Sequence, residues 1–377
     1  MAYNPERLVV AGCLASLLAC RAEAPRPAPR APSMPLFAAA DSTIYELAAL
    51  GSSSARMVGI HALGDSDVAI VTSAPGGIAL SHFGGQLNIV KGLNGLIPEH
   101  SAVCTQGGVV VIGGHDRAVV HVGVDGSVAP AGALPRTIGR VLGLQCESPS
   151  DLLVLAEGSI PDVKTASLVR VGSALVRVSR DRDSVRVDTL GAFSGHELLR
   201  LSPNDPGIDP PFGVTVQLAS GPTRLYVAST DESMITQIQT NGRRLGAIDF
   251  VSDDVPIPRT RVDSAVRATL GARLTTLPPN VADEMISGLA KDRKAARWVG
   301  LAVDPGENVW LALNVPPDRD GDRVWTIFRT DGARRAKVFL PFDFVVTDVR
   351  PQFVLGYLKG LPAARSARKF KLQLLGG

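Results

Sequence analysis

The sequence predicts an all-β fold, a six-bladed β-propeller closed by its own N-terminal strand, and three observations predict it. Short apolar strands alternate with turn residues from Asp41 onward, as expected of an all-β chain. The turns then fall into two recurring sets. One set joins a first strand to a second: Gly64-Asp65-Ser66-Asp67, Gln106-Gly107-Gly108, residues 147–151, Ser220-Gly221-Pro222, Asp304-Pro305-Gly306-Glu307 and Arg350-Pro351. The other joins a third strand to a fourth: Gly84-Gly85, Asp125-Gly126, residues 180–183, Asn241-Gly242 and Asp331-Gly332. Asn-Gly, Asp-Gly and Gly-Gly supply the positive φ angles that two-residue hairpins need. The third observation is a mismatch. The last unit, 342–375, is one strand short, and one strand, 43–50, is left over at the start. If the leading strand completes the last blade, the ring closes and no sheet edge stays free. A two-domain sandwich explains the short strands but not this matched excess and deficit.

The blades then fall at about 59–92, 101–134, 139–193, 212–250, 297–340, and 342–375 with 43–50. Composition agrees. Apolar residues make up 45% of the chain and charged residues 20%, enough apolar material for a large core. The net charge of +3 gives no general reason to expect nucleic acid or an anionic membrane as a partner.

Residues 8–19 form an apolar run of signal-peptide length, short for a transmembrane helix. Leu17-Leu18-Ala19 lead into Cys20, and this resembles the lipobox of bacterial lipoproteins, in which the cysteine becomes the acylated N-terminus. Val10-Ala11-Gly12-Cys13 fits the same pattern with fewer apolar residues ahead of it. Cleavage after Ala24, at Ala22-Glu23-Ala24, gives ordinary secretion instead, and a retained anchor is the third reading. The domain reading is a signal peptide over 1–19, a lipidated Cys20 with an Ala/Pro-rich linker over 20–40, and the propeller over 41–377. Residue 21 is Arg rather than Asp, which favours an outer-membrane lipoprotein facing the periplasm. The membrane is then a partner through the lipid anchor only.

Leu225-Tyr226-Val227-Ala228 and the run from Leu301 to Leu311 read like the inner strands of NHL-like and TolB-like six-bladed β-propeller proteins. The tail from Phe342 to Tyr357 is similar to the closing blade of uncharacterised bacterial propeller lipoproteins. The resemblance covers residues 41–377, implies fold, and brings no catalytic motif with it.

A helical insertion is expected at about 255–297, between blades 4 and 5. Val262, Val266, Leu270 and Leu274 recur every fourth residue, as do Val281, Met285 and Leu289. Pro278-Pro279 separates the two stripes, and Asn280 with Asp283 suits an N-cap. Two roles are open: a brace packed on the ring, or a lid over a ligand. Every long connection, at 157–173, 194–211, 251–297, 314–322 and 360–368, lies on one face of the ring. The other face carries only short turns. Functional residues concentrate on loops held by a rigid scaffold, so the first face is the candidate. The leading strand starts on the plain face, and the tether would leave from there.

His100, His115 and His196 fall in connections of the decorated face, with Asp116, Arg117 and Glu197 beside them, and His61 lies in the first inner strand. Histidines flanked by carboxylates suit metal binding or general acid–base work, or are simply solvated. Asp318-Arg319-Asp320-Gly321-Asp322 has the acids of a calcium loop, but Gly is misplaced and position 12 is Arg329; a solvated turn fits better. Cys104 and Cys146 end equivalent inner strands and are either a disulfide staple or two buried thiols. Arg365, Arg368, Lys369 and Lys371 form a basic stretch suited to acidic lipid or polysaccharide, or to an exposed strand face. No Cys-x-x-Cys pair, phosphate loop, nucleophile elbow or zinc-protease helix is present, and no cofactor is expected.

The leading functional reading is a non-catalytic binding or scaffold propeller that takes an envelope protein or small ligand on its decorated face. The alternative is an enzyme of lactonase, lyase or sugar-dehydrogenase type at the mouth of the central channel. Convergence of His61, His100, His115 and His196 at metal-ligand distance would favour the enzyme.

Overall fold

The computed structural model describes residues 34–45, 55–64, 67–82, 87–93, 95–161, 167–182, 184–202, 205–291, 293–314, 321–361 and 366–375. Cys20, Cys13, the signal segment and Asp318 to Asp320 lie outside the described residues, as does Arg365.

Over the described residues the chain is all-β with two short α-helices, in a propeller-like arrangement. Four antiparallel four-stranded sheets follow one another: β2–β5 (57–89), β6–β9 (98–133), β10–β13 (141–200) and β14–β17 (216–249). One eight-stranded sheet completes the set, in the order β18-β19-β20-β21-β1-β24-β23-β22. Its strands are β18–β21 (298–341), β22–β24 (344–374) and β1, Leu36–Ile44. The innermost strand of each unit packs against the next: β2 on β6, β6 on β10, β10 on β14, β14 on β18, β18 on β22, and β22 back on β2. One backbone bond recurs where the second strand of each unit ends. Ser73 donates to Arg56, Gly114 to Ile97, Glu157 to Arg140, Thr230 to Thr215, Asn314 to Arg297 and Lys359 to Asp343, all at 2.8–3.1 Å. Each bond fixes the chain just ahead of an inner strand.

The leading strand pairs antiparallel with β24, as expected, but it begins at Leu36 rather than Thr43 and ends at Ile44. It also pairs in parallel with β21, Leu36 opposite Lys337. Its apolar Phe37 and Ala39 pack on the cluster of Trp310, Trp325, Val338 and Phe344. A segment that composition marked as linker is therefore core.

β12 (Ser167–Asp181) and β13 (Ser184–Arg200) run well past their sheet and pair with each other out to Ser167 opposite Arg200. His196 and Glu197 thus lie in a strand, not in a connection, and His100 lies in β6. The extension survives because the insertion covers it. α1 (Arg259–Leu270) and α2 (Pro279–Ala290) turn Val262, Val266, Leu270, Met285, Ile286 and Leu289 inward. These close a separate apolar cluster with Leu199, Leu168, Ile208 and Phe212. The predicted stripes hold except that Leu274 falls in a 3-10 turn after α1 and Val281 is only half-buried, and the N-cap is not as predicted. Pro278 caps α2 and Pro279 opens it, without any side-chain cap bond, because proline's fixed φ suits a first turn whose N–H groups are free anyway. Asp283 instead pairs with Arg267 at 3.3 Å. Among the described residues, no helix is long and apolar enough to cross a membrane.

Candidate functional site

The inner strands surround a channel with a cavity of about 480 Å³, lined by residues of β2, β6, β10, β14, β18 and β22. Alternate residues of a strand share a face, so Gly59 and His61 both look into it. A Cβ on residue 59 would lie 2.5 Å from His61 Nε2 and 2.7 Å from Ser101 Oγ. The bare glycine therefore leaves the space in which His61 Nε2 and Ser101 Oγ hydrogen-bond at 2.8 Å. Burial pushes the His61 ring down to about 4, and the Arg350 cation adds to this, so the ring is neutral near pH 7. Asp348 and Arg350, two apart on β22, share a carboxylate–guanidinium contact at 3.2 Å. Asp348 accepts the Ala62 amide at 2.8 Å, Arg350 donates to Ala62 O at 2.9 Å, and Thr347 donates to Ile60 O at 2.6 Å. These side chains sew β22 to β2. Burial raises the Asp348 carboxyl above its usual range, against Arg350 and the amide. On the far side, Ser220 donates to Gln145.

His100 also lines the cavity. Burial lowers its ring to about 4, helped by the Arg117 and Arg140 cations. Arg117 sits at φ 56°, and from there its guanidinium donates to the carbonyls of Ile138 and Gly139. That fixes the entry to β10.

On the decorated face the charged residues form pairs. Arg140, the residue before β10, meets Asp209 at 2.8 Å and Glu157 at 3.4 Å. His196, almost fully buried, puts Nε2 2.8 Å from Glu157 Oε1 and 2.8 Å from an Arg140 nitrogen. One ring nitrogen cannot donate and accept at once. A guanidinium can only donate, so the ring nitrogen accepts from Arg140, and Glu157 Oε1 stays beside the ring without a hydrogen bond of its own. The adjacent Glu197 points to the opposite side of β13. It pairs with Arg293 of the insertion, both largely buried, and accepts the Val214 amide at 2.9 Å. Arg170 pairs with Asp231 at 2.7 Å, and Asp254 with Lys294 at 2.6 Å and with Arg297 at 2.5 Å.

The structure therefore places His61 and His100 in the channel wall, and His115 and Asp116 exposed on the β7–β8 turn. His196 accepts from Arg140, and Glu197 pairs with Arg293. Among the described residues, no three His, Cys, Asp or Glu side chains gather at metal-holding distance. Cys104 and Cys146 are bonded, with Cα atoms 4.5 Å apart; the strand ends come close enough because Cys104 and Cys146 form an isolated parallel bridge. Sequence reasoning missed Ser101, Arg140, Glu157, Arg293, Asp348 and Arg350. Two signals were available. Arg140 and Arg297 each stand just ahead of an inner strand, and Asp348 with Arg350 shows the two-residue period of a channel-facing edge.

No family model matches the chain, and no curated protein matches it. Solved structures do match in outline. A catalytically inactive virginiamycin B lyase from Staphylococcus aureus, with quinupristin, is 10% identical, with a TM-score of 0.46 over 90% of this chain and all of that one. A gluconolactonase from Xanthomonas campestris is 13% identical, with a TM-score of 0.43 over 89% of this chain and 98% of that one. A protein of unknown function from Bacteroides thetaiotaomicron is 12% identical, with a TM-score of 0.46 over 88% and 76% of the two chains. Likeness at this level carries nothing about the chemistry of this chain.

Proposed function

We propose that this chain is a six-bladed propeller lipoprotein of the cell envelope, acylated at Cys20, that binds a partner on its connection-bearing face. The eight-stranded sheet is read as two blades joined through β1, and the recurring bond ahead of each inner strand supports that division. One observation carries the binding reading. Among the described residues, the connections at 194–211 and 251–297 are consolidated into a platform, with their own apolar cluster beneath and charged side chains paired across them. Such preorganised surfaces bind without first ordering themselves. A bonded Cys104–Cys146 supports an oxidising compartment, in keeping with an outer-membrane address facing the periplasm.

Photo-crosslinking residues at Val251, 76% exposed on the platform, and at Asn241, on a short turn, test this in intact cells. Adducts from position 251 alone are expected. Adducts from neither position, or chiefly from 241, overturn it. Mass analysis of the N-terminal peptide tests acylation separately.

The enzyme reading keeps one supporting observation, the neutral His61 bonded to Ser101 Oγ inside the channel. It requires turnover of a lactone or ester that Ser101→Ala abolishes while the fold is retained.

A further inference from the structure

We propose that the short-turn edge of the eight-stranded sheet, around the start of β1, is a membrane-facing surface that seats on anionic lipid headgroups. β1 runs parallel to β21, so Leu36 lies at the edge where the 329–333 turn delivers β21. β24 ends at the same edge. Phe37 stands opposite Leu374, and the Leu375 amide donates to Leu36 O at 2.8 Å. Leu36, Leu374 and Leu375 are 39%, 60% and 41% exposed. Single exposed leucines are ordinary, but register sets Leu36 opposite Leu375 on one face, with Leu374 opposite Phe37 on the other, so the three gather at one sheet edge.

Cations flank the patch. Lys337 is opposite Leu36, and its amide donates to Pro35 O at 3.0 Å, while Arg334 and Arg335 are exposed one turn away. Arg335 gives one hydrogen bond to the Asn308 amide oxygen, which leaves its charge unneutralised. The acid of that turn, Asp331, is taken up by Arg329 at 3.2 Å. Apolar side chains beside clustered cations match the two layers of a bilayer surface, acyl boundary and anionic headgroup.

The chain also enters the sheet at this edge, from residues 1–33. A tether at Cys20 would therefore hold the patch near the membrane and turn the platform away from it. That orientation rests on the lipoprotein reading; the surface chemistry does not.

The test is co-sedimentation of the full chain, with Cys13→Ser and Cys20→Ser to prevent acylation, on two kinds of vesicle. One is phosphatidylethanolamine alone, and the other adds phosphatidylglycerol to about a third. The N-terminal apolar segment contributes equally to all variants, so the patch is read as the difference between vesicles. Stronger partition onto anionic vesicles is expected, falling about a hundredfold when Arg334, Arg335 and Lys337 become Glu. Leu374→Ser with Leu375→Ser weakens it several-fold, and both variants keep the parent melting temperature. Equal partition onto both vesicles, or variants that bind like the parent, overturns the proposal. Concentration-dependent self-association that the leucine variant abolishes, without vesicle preference, overturns it in favour of a second copy.

Discussion

On the short-turn face the chain reverses within a few residues, and the backbone does the holding. The turn at Asn241-Gly242 closes through a bond from Gly242 N to Gln239 O, with Gly242 at φ 90°. On the opposite face, segments far apart in sequence are held by side chains. Glu197 reaches Arg293, Arg140 reaches Asp209, and Leu199 meets Val266 and Leu289. One face is specified by local conformational preference and the other by long-range pairing, so damage to the two should propagate differently.

The largest expected effect removes the covalent exception on the short-turn side. Cys104→Ala with Cys146→Ala opens a loop of 42 residues and should lower stability by about 4 kcal/mol, measured by denaturant unfolding. Reductant should reproduce the loss in the parent chain and leave the double variant unchanged. A loss below about 1 kcal/mol would mean that the ring restrains these strand ends by itself.

Next comes the platform. Arg293→Ala strands a largely buried Glu197 and should cost about 3 kcal/mol. Hydrogen exchange should rise across the helical insertion and the β12–β13 extension while the short-turn hairpins stay protected. Pairing it with Glu197→Gln should recover much of the loss, and simple additivity would show that the two residues are not coupled.

Acid sharpens the comparison from the channel. His61 and His100 are held near 4, well below the ordinary value of 6.5. Below about pH 6.5 the unfolded chain takes up protons that the folded rings refuse. Stability is therefore whole above that pH and drains as pH falls toward about 4. His61→Gln should flatten this loss by roughly 2–3 kcal/mol, and an unchanged acid limb in the melting curve would contradict the burial of that ring. The smallest effect is at Gly59. Gly59→Ala places a Cβ against the His61–Ser101 bond and should cost about 1–2 kcal/mol, with the His61 ring resonance shifted in the NMR spectrum.

Much of the strand-and-turn order was legible, because positive-φ residues and alternating Val and Leu act within a few residues of where they stand. The stripes of α1 and α2 were legible for the same reason, through Val262, Val266 and Met285. Pairings were not. Nothing near Leu36 or Phe37 distinguishes them from linker until β21 and β24 flank them. Nothing in His-Glu at 196–197 shows that the two side chains part to opposite sides of a strand.

The sequence by itself determined the all-β class, the turn positions that fall on described residues, the closure of the last sheet by a leading strand, and a helical insertion with its buried stripe. Only the tertiary structure decided where that strand begins, that β12 and β13 outrun their sheet, and that the histidines separate. It also decided that Ser101 meets His61, and that Asp348 and Arg350 bond to the Ala62 backbone, from the two inner strands that flank β2. Turns and periodicity are local consequences of φ, ψ and strand pleat. Ion pairs and shared cavities depend on register between strands as much as some 290 residues apart, such as Arg350 and Ala62, and register is settled only when the ring packs.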